Sequence, residues 1–336
     1  MINILNNFGS NLKEFSFTGY IILLTVSVII GLFLLTKGGD FLSDYCSIFA
    51  EKLGIPSIIV GLTIVSIATS APELFTSISA ISSNAGGLVI GNITGSNIAN
   101  IGLILGISLL IKPISTHGAV KPIQLILLLS ATFGFSFSII FNGKNELGLA
   151  LGIVLIVFIL SYLAGLSISA LKNRDGVNMS NQDSSVHSLL FVTSMIGFGG
   201  VMLWVGSETL VYGSKNFAEM AGIPDELIGF TLIAIGTSLP ELAASISLIK
   251  KNETSMLLGN IIGSNLFNIG LVGGVAGIIG PVFSVTTFPW MSHASMILFT
   301  TILAMWLIGK KLTSKHGIAL LALYVLATAT TWIMNS

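Results

Sequence analysis

The sequence predicts an all-α polytopic membrane protein, with ten transmembrane helices arranged as two inverted five-helix repeats. Three observations carry that expectation. Of 336 residues, 53% are hydrophobic and 8% charged, with a mean hydropathy of +0.96, far from the usage of a water-soluble domain. Apolar stretches of membrane-crossing length follow one another with only short polar segments between them. The two halves of the chain also repeat each other's polar residues in register.

A helix needs about 20 predominantly apolar residues to cross the hydrocarbon core. That length is met at 17–37, 56–82, 86–111, 121–142, 146–171, 188–213, 224–249, 255–280, 287–309 and 316–334. The formal net charge is zero, so nothing points to nucleic acid. The single cysteine, Cys46, excludes an intramolecular disulfide. Residues 1–16 contain Lys13 and Glu14 but no basic stretch leading to a small-residue cleavage site. They read as an N-terminal extracytoplasmic segment, and the first span serves as the insertion signal.

Set against itself at an offset of 168, the chain aligns Gly38–Gly102 with Gly206–Gly270 without a gap. Phe49–Glu51 matches Phe217–Glu219, and Gly54–Pro56 matches Gly222–Pro224. The pattern TS-PEL stands at Thr69–Leu74 and Thr237–Leu242, and GN-x-x-GSN-x-x-NIG at Gly91–Gly102 and Gly259–Gly270. Chance likeness between apolar helices would match Leu and Ile, not Thr, Ser, Pro, Glu and Asn. The first five-helix repeat is therefore 17–171, the second 188–336, and 172–187 is a polar connecting loop too short to fold alone. With an odd number of spans per repeat, the second half enters the membrane from the opposite side.

Loop charges orient the chain. Lys52, Lys112, Lys121, Lys172, Arg174, Lys250, Lys251, Lys310, Lys311 and Lys315 fall on one side, together with Lys37 at the end of the first span. Lys13, Lys144 and Lys215 fall on the other. The positive-inside rule puts the crowded side and the 172–187 loop in the cytoplasm and both termini outside it.

Polar groups at membrane depth are costly and usually face a cavity or one another. Glu73 lies inside the second span and Glu241 inside the seventh. Thr69 and Ser77 stand four residues to either side of Glu73, on the same helical face, and Thr237 and Ser245 repeat this about Glu241. In the following spans Ser96 and Asn100, with their mates Ser264 and Asn268, are again spaced i, i+4. Pro72 and Pro240 should break their helices and release the carbonyls of Ala68 and Gly236. Gly91, Gly95, Gly259 and Gly263 should let the next helices pack closely against the breaks.

Carboxylate, amide, hydroxyl and carbonyl oxygens without His or Cys suit a hard cation such as Ca²⁺, and Na⁺ accepts the same ligands. Asp40 and its mate Glu208 read as interfacial or packing groups, and His117, His187, His293 and His316 as solvated surface. Nothing offers a cofactor motif or a catalytic constellation, so an enzyme is not expected.

The doubled segments IATSAPELFTS with GNITGSNIANIG, and IGTSLPELAAS with GNIIGSNLFNIG, closely resemble the paired α-repeats of the cation/Ca²⁺ exchanger superfamily, in its compact prokaryotic Na⁺/Ca²⁺ exchanger branch. The resemblance implies a secondary antiporter of a prokaryotic plasma membrane that exchanges Ca²⁺ for Na⁺. It implies that the first and sixth helices slide over the other eight to alternate access. It implies Glu73 and Glu241 as central ligands, and Thr69, Ser70, Ser96, Thr237, Ser238 and Ser264 as flanking contacts. Backbone carbonyls of Ser66 and Ala234 and the amide of Asn100 complete the implied set. Asn268 departs from the Asp of many members, which removes a third carboxylate and argues against K⁺ dependence, and Ala68 replaces a usual Gly. The alternative is an H⁺-coupled antiporter of Ca²⁺ or another divalent ion on the same fold, since a desolvated glutamate can carry a proton instead of a metal. The hydroxyl-rich TS-PE pair favours Na⁺.

Overall fold

The computed structural model describes residues 9, 16–82, 87–116, 118–141, 146–172, 188–220, 234–280, 282–283, 289–309 and 311–335. The first helix, α1 (Phe17–Leu53), opens with the Ser16 hydroxyl accepting from the Gly19 N–H and closes on Gly54 in the left-handed conformation, φ 61°. It is longer than the expected span. Lys37, placed by the sequence at a helix end, lies mid-helix, because Gly38 and Gly39 continue the helix against neighbouring backbone. At 37 residues the helix measures about 55 Å and must tilt or project beyond a ~30 Å core.

The next element, α2, covers 57–82 in three pieces: Ser57–Val60, a widened π-helical turn at Gly61–Val65, and Ser66–Ser82. Its follower α3 covers 87–111, with a π-turn at Asn100–Leu105. Then come α4 (Pro122–Phe141), α5 (Leu149–Lys172) and α6 (Leu189–Met220). Helix α7 consists of Ala234–Thr237 and Leu239–Lys250 joined at Ser238. Helix α8 covers 254–279, with a π-turn at Asn268–Val272, and α9 (Pro289–Leu307) and α10 (Ser314–Asn335) follow. Among the described residues, eight helices are long and apolar enough to cross a bilayer.

Two-residue strands, absent from the sequence expectation, tie loops together in antiparallel pairs. Strand β1 (Ile114–Ser115) pairs with β4 (Lys311–Leu312), and β2 (Glu146–Leu147) with β3 (Val282–Phe283). Ile114 faces Leu312, and its repeat mate Val282 faces Leu147.

Mate helices meet each other. Gly31 of α1 packs on Leu210 of α6, Gly38 on Leu203, and Gly199 of α6 on Leu42 of α1, so the two run antiparallel. The contacts themselves are paired: a Cβ on Gly38 would stand 3.1 Å from the Gly199 carbonyl oxygen, and one on Gly206 3.1 Å from that of Gly31. Between α4 and α9, Thr132 Oγ1 lies 3.5 Å from Oγ1 of its own mate, Thr300. Helix α10 lies against α3 through Gly317 and Gly106, as α5 lies against α8 through Gly152 and Gly277. The centre belongs to α3 and α8, where 78% and 83% of the apolar stretch is buried, against 28% in α1, α5 and α6. At one end of α1, Lys251 Nζ bonds Asp44 at 2.7 Å and the Asp40 carbonyl at 2.9 Å, while the Ser247 hydroxyl donates to Asp40 Oδ1. Asp40 is thus a packing group, as expected.

The glycine expectation holds at Gly259 and Gly263 and fails at Gly91. A Cβ on Gly259 would stand 2.5 Å from the Ile58 carbonyl oxygen, and one on Gly263 2.2 Å from Ser66 Oγ, whereas one on Gly91 meets nothing within 4 Å. Ala at Gly259 must therefore displace backbone. Gly259→Ala is expected to cost about 1–3 kcal/mol and to lower the melting temperature of the detergent-purified protein in fluorescence-detected gel filtration; Gly91→Ala should leave it within error.

Candidate ion-binding site

The centre of the bundle holds the carboxylates that the repeat singled out. Glu73 on α2 and Glu241 on α7 are each 1% exposed and interact electrostatically across the two halves. Glu241 Oε1 accepts from Ser70 Oγ at 2.8 Å, and Thr69 and Ser264 approach the same carboxylate. Thr237 approaches Glu73. Neither oxygen of Glu73, nor Glu241 Oε2, has a hydrogen-bond partner among the described residues. Buried acceptors without donors are rare in native structures. Here they are carboxyl oxygens, buried and with hydroxyls about them, a donor set that suits a hard cation.

The remaining predicted residues fall around this pair. Ser66, Thr69, Ser70 and Ser77 on α2, Ser96 and Asn100 on α3, Thr237, Ser238 and Ser245 on α7, and Ser264 and Asn268 on α8 are all buried. Ala234 heads the described part of α7, and its side chain lies outside the described residues. The structure sorts the set into roles. Among the described residues, Ser238 Oγ has no hydrogen-bond partner, nor do Asn268 Oδ1 and both amide atoms of Asn100. Ser77 and Ser245 instead accept from the side-chain amides of Asn92 (3.1 Å) and Asn260 (3.4 Å). Asn100 and Asn268 each open a π-turn, a local widening that recurs at functional sites, and these turns pack on α7 and α2 respectively. Asn268 Nδ2 reaches Asn97 Oδ1 at 3.4 Å.

The prolines act differently from expectation in the two halves. Pro72 lies inside a continuous helix, Ser66–Ser82, so the first predicted break does not occur. In α7 the helix does part at Ser238, with Pro240 in the first turn of the second piece. There the Gly236 carbonyl released by Pro240 accepts from Ser207 Oγ of α6. The mate of Ser207 is Gly39, which has no hydroxyl, so the first half has no equivalent of this bond.

Three site residues escaped the sequence reading. Asn92 and Asn260 stand in the doubled GN-x-x-GSN motif, four residues before Ser96 and Ser264, and that repetition was a usable signal. Ser207 carried none, being unmatched in the other half. His293 also corrects an expectation: it is fully buried rather than solvated, with Nδ1 3.3 Å from Ser136 Oγ and its ring against Phe135. It sits on the face of α9 that meets α4, a placement invisible in a segment read as loop-proximal. His316 is half-buried and accepts from the Thr313 N–H at 3.1 Å, while His117 and His187 lie outside the described residues.

Fold and site together define an integral membrane protein with an acidic, oxygen-lined centre at helix depth. The sodium/calcium exchanger protein family profile matches residues 23–168 and 191–333. An uncharacterized membrane protein of Methanocaldococcus jannaschii is 34% identical, over 90% of this chain and 95% of its own length. Sodium/calcium exchanger MaX1 of Methanosarcina acetivorans is 33% identical, over 89% and 95%. A structure of the sodium-calcium exchanger NCX_Mj superposes with a TM-score of 0.78 at 31% identity, covering 92% of this chain and 98% of that one. The chain belongs to the sodium/calcium exchanger family, in its prokaryotic branch. It is a membrane protein of transport and antiport.

Replacing Ser207 by Ala leaves the Gly236 carbonyl buried without its donor. The expected cost is about 1 kcal/mol, read as a lower melting temperature in detergent; an unchanged value would show that the α6–α7 bond contributes nothing.

Proposed function

We propose that this chain exchanges Ca²⁺ for Na⁺ across a prokaryotic plasma membrane, by alternating access at a mid-membrane site centred on Glu73 and Glu241. The observation that carries the reading is the pair of buried glutamates at equivalent repeat positions, three of whose four oxygens have no partner among the described residues. An unpaired charge at such depth costs at least ~2.5–3.5 kcal/mol on insertion scales. A cation offsets that cost, and hydroxyl and amide oxygens complete its shell. Two carboxylates balance one Ca²⁺ or two Na⁺, so the ions compete for one set of ligands, and competition with alternating access is exchange. With Asn in place of Asp at 268, charge balance rests on Glu73 and Glu241 alone. Thr69, Ser70, Ser96, Thr237, Ser238, Ser264 and the carbonyls of Ser66 and Ala234 supply the neutral ligands in this reading, with Asn100 and Asn268 beyond them.

The proposal includes ten transmembrane helices as two inverted repeats with both termini outside the cytoplasm. Its support is the antiparallel packing of the mates α1 and α6, the meeting of Thr132 with Thr300, and the paired contacts of the four strands. Helices α1 and α6 form the element that moves relative to the other eight. Their mutual contact runs along glycines, and close, smooth faces suit two helices that travel together.

In proteoliposomes, an outward Na⁺ gradient is expected to drive ⁴⁵Ca²⁺ uptake, and a pH gradient alone is not; uptake driven only by protons would replace Na⁺ coupling with H⁺ coupling. Glu73→Gln and Glu241→Gln are each expected to abolish that uptake while eluting as folded protein. Wild-type flux in either variant would remove the carboxylates from the site.

A further inference from the structure

We infer that Asn92 and Asn260 are positioning residues of the ion site, each taking up hydroxyl hydrogens from the opposite half of the chain so that the ligand oxygens face the cation with lone pairs. This rests on the exchange reading of the Glu73–Glu241 site and goes beyond it, because neither asparagine is itself required as a ligand.

The two amides make equivalent bonds. Asn92 Oδ1, on α3, accepts from Ser96 Oγ (3.5 Å) on its own helix and from Thr237 Oγ1 (3.4 Å) on α7. Asn260 Oδ1, on α8, accepts from Ser264 Oγ (3.5 Å) on its own helix and from Thr69 Oγ1 (3.4 Å) on α2, a hydroxyl that shares its hydrogen with the Ser66 carbonyl at 3.4 Å. Their nitrogens point the other way: Asn92 Nδ2 donates to Ser77 Oγ and to the Glu73 carbonyl (3.1 and 3.4 Å), and Asn260 Nδ2 to Ser245 Oγ (3.4 Å). Each amide thus joins three helices and both halves, and each is buried.

The orientation of the amide decides the sign of the hydroxyl dipoles. A Ser or Thr hydroxyl has one hydrogen and two acceptor lone pairs. With the Asn carbonyl behind it, the hydrogen is drawn away from the site and the lone pairs face inward. With the amide flipped, N–H groups would occupy the lone pairs and turn the hydrogen toward the ions, which a cation repels. At Asn92 the Glu73 backbone carbonyl, which can only accept, holds the nitrogen back and fixes the useful orientation; Asn260 takes the same orientation at the equivalent repeat position, with Ser245 as the acceptor of its nitrogen. Asparagine does this without adding a third negative charge, where aspartate would. Ser66 Oγ, on the Asn260 side, donates to the Gly61 carbonyl at 2.7 Å and lies 3.1 Å from the Asn260 backbone carbonyl. The contacts to Oδ1 are at the long end for hydrogen bonds, so each contributes a modest, separable amount.

Because each carbonyl serves a threonine from the other half, the inference predicts which pairs of residues are coupled. The test is equilibrium ⁴⁵Ca²⁺ binding to the full chain purified in detergent, with double-mutant cycles. Asn92→Leu and Asn260→Leu are each expected to weaken Ca²⁺ binding about tenfold, as loss of one hydrogen bond to an ion ligand implies. Thr237→Val should weaken binding clearly less in the Asn92→Leu background than in the wild type, and Thr69→Val clearly less in the Asn260→Leu background. The exchanged pairs, Asn92 with Thr69 and Asn260 with Thr237, should be additive. Asn92→Asp and Asn260→Asp keep the acceptor oxygens, so the matched threonine substitution should weaken binding there as much as in the wild type; this arm decides the matter if the leucine variants do not fold. Additive matched pairs, exchanged pairs that couple equally, or aspartate variants indifferent to the threonine overturn the inference while wild-type Ca²⁺ binding stands. A wild-type chain that binds no Ca²⁺ overturns the exchange reading, and the inference with it.

Discussion

Two carboxylates of like charge, enclosed at the centre of an apolar bundle, set the terms for everything around them. Glu73 and Glu241 come from helices in different halves, and water does not reach either. Burying one such group without a partner is expensive, and burying two side by side adds their repulsion. The protein answers with oxygen rather than with opposite charge. Among the described residues no Lys or Arg bonds them, and the salt bridge of Lys251 with Asp44 lies elsewhere, on α1. A lysine or arginine beside the glutamates would satisfy them permanently. In the proposed exchange, hydroxyls and amides leave the charge to be met by an ion that can come and go.

Packing serves the same end. The polar residues occupy the two most enclosed helices, α3 and α8, and the segments of α2 and α7 that cross them. Gly259 and Gly263 bring the α8 backbone against Ile58, Leu62 and Ser66 of α2, and that closeness lets hydroxyls from one half reach amides of the other. The π-turns at Asn100 and Asn268 widen the helices where their amides stand. Outside this centre, α1 and α6 cross on their glycines and bury little of their own length.

The two halves share a plan without being copies. The helix is continuous over Pro72 but parts before Pro240, where Ser207 bonds the Gly236 carbonyl and its mate Gly39 has no hydroxyl to do the same. Gly259 is wedged against backbone while Gly91 is open. Ser70 bonds Glu241, but its mate Ser238 makes no bond to Glu73. Each difference falls on the site or beside it, so the two glutamates do not have identical surroundings. A strictly symmetric centre would have two equal faces; this one does not.

Much of the centre was legible in the sequence, because burial of polar residues in apolar spans is a property of composition, and their repetition at one offset is a property of order. Both glutamates, their flanking hydroxyls and the pairing of the halves could be read that way, since membrane insertion penalises every charge that lacks a purpose. The tertiary structure alone decided which hydroxyl meets which acceptor. It turned Ser77 and Ser245 toward Asn92 and Asn260, brought Ser207 to the Gly236 carbonyl, buried His293 against α4, and kept the helix whole over Pro72. Those outcomes depend on rotation about helix axes and on distances between helices remote in sequence. A one-dimensional pattern records which faces are polar, but the approach of one face to another is set by packing.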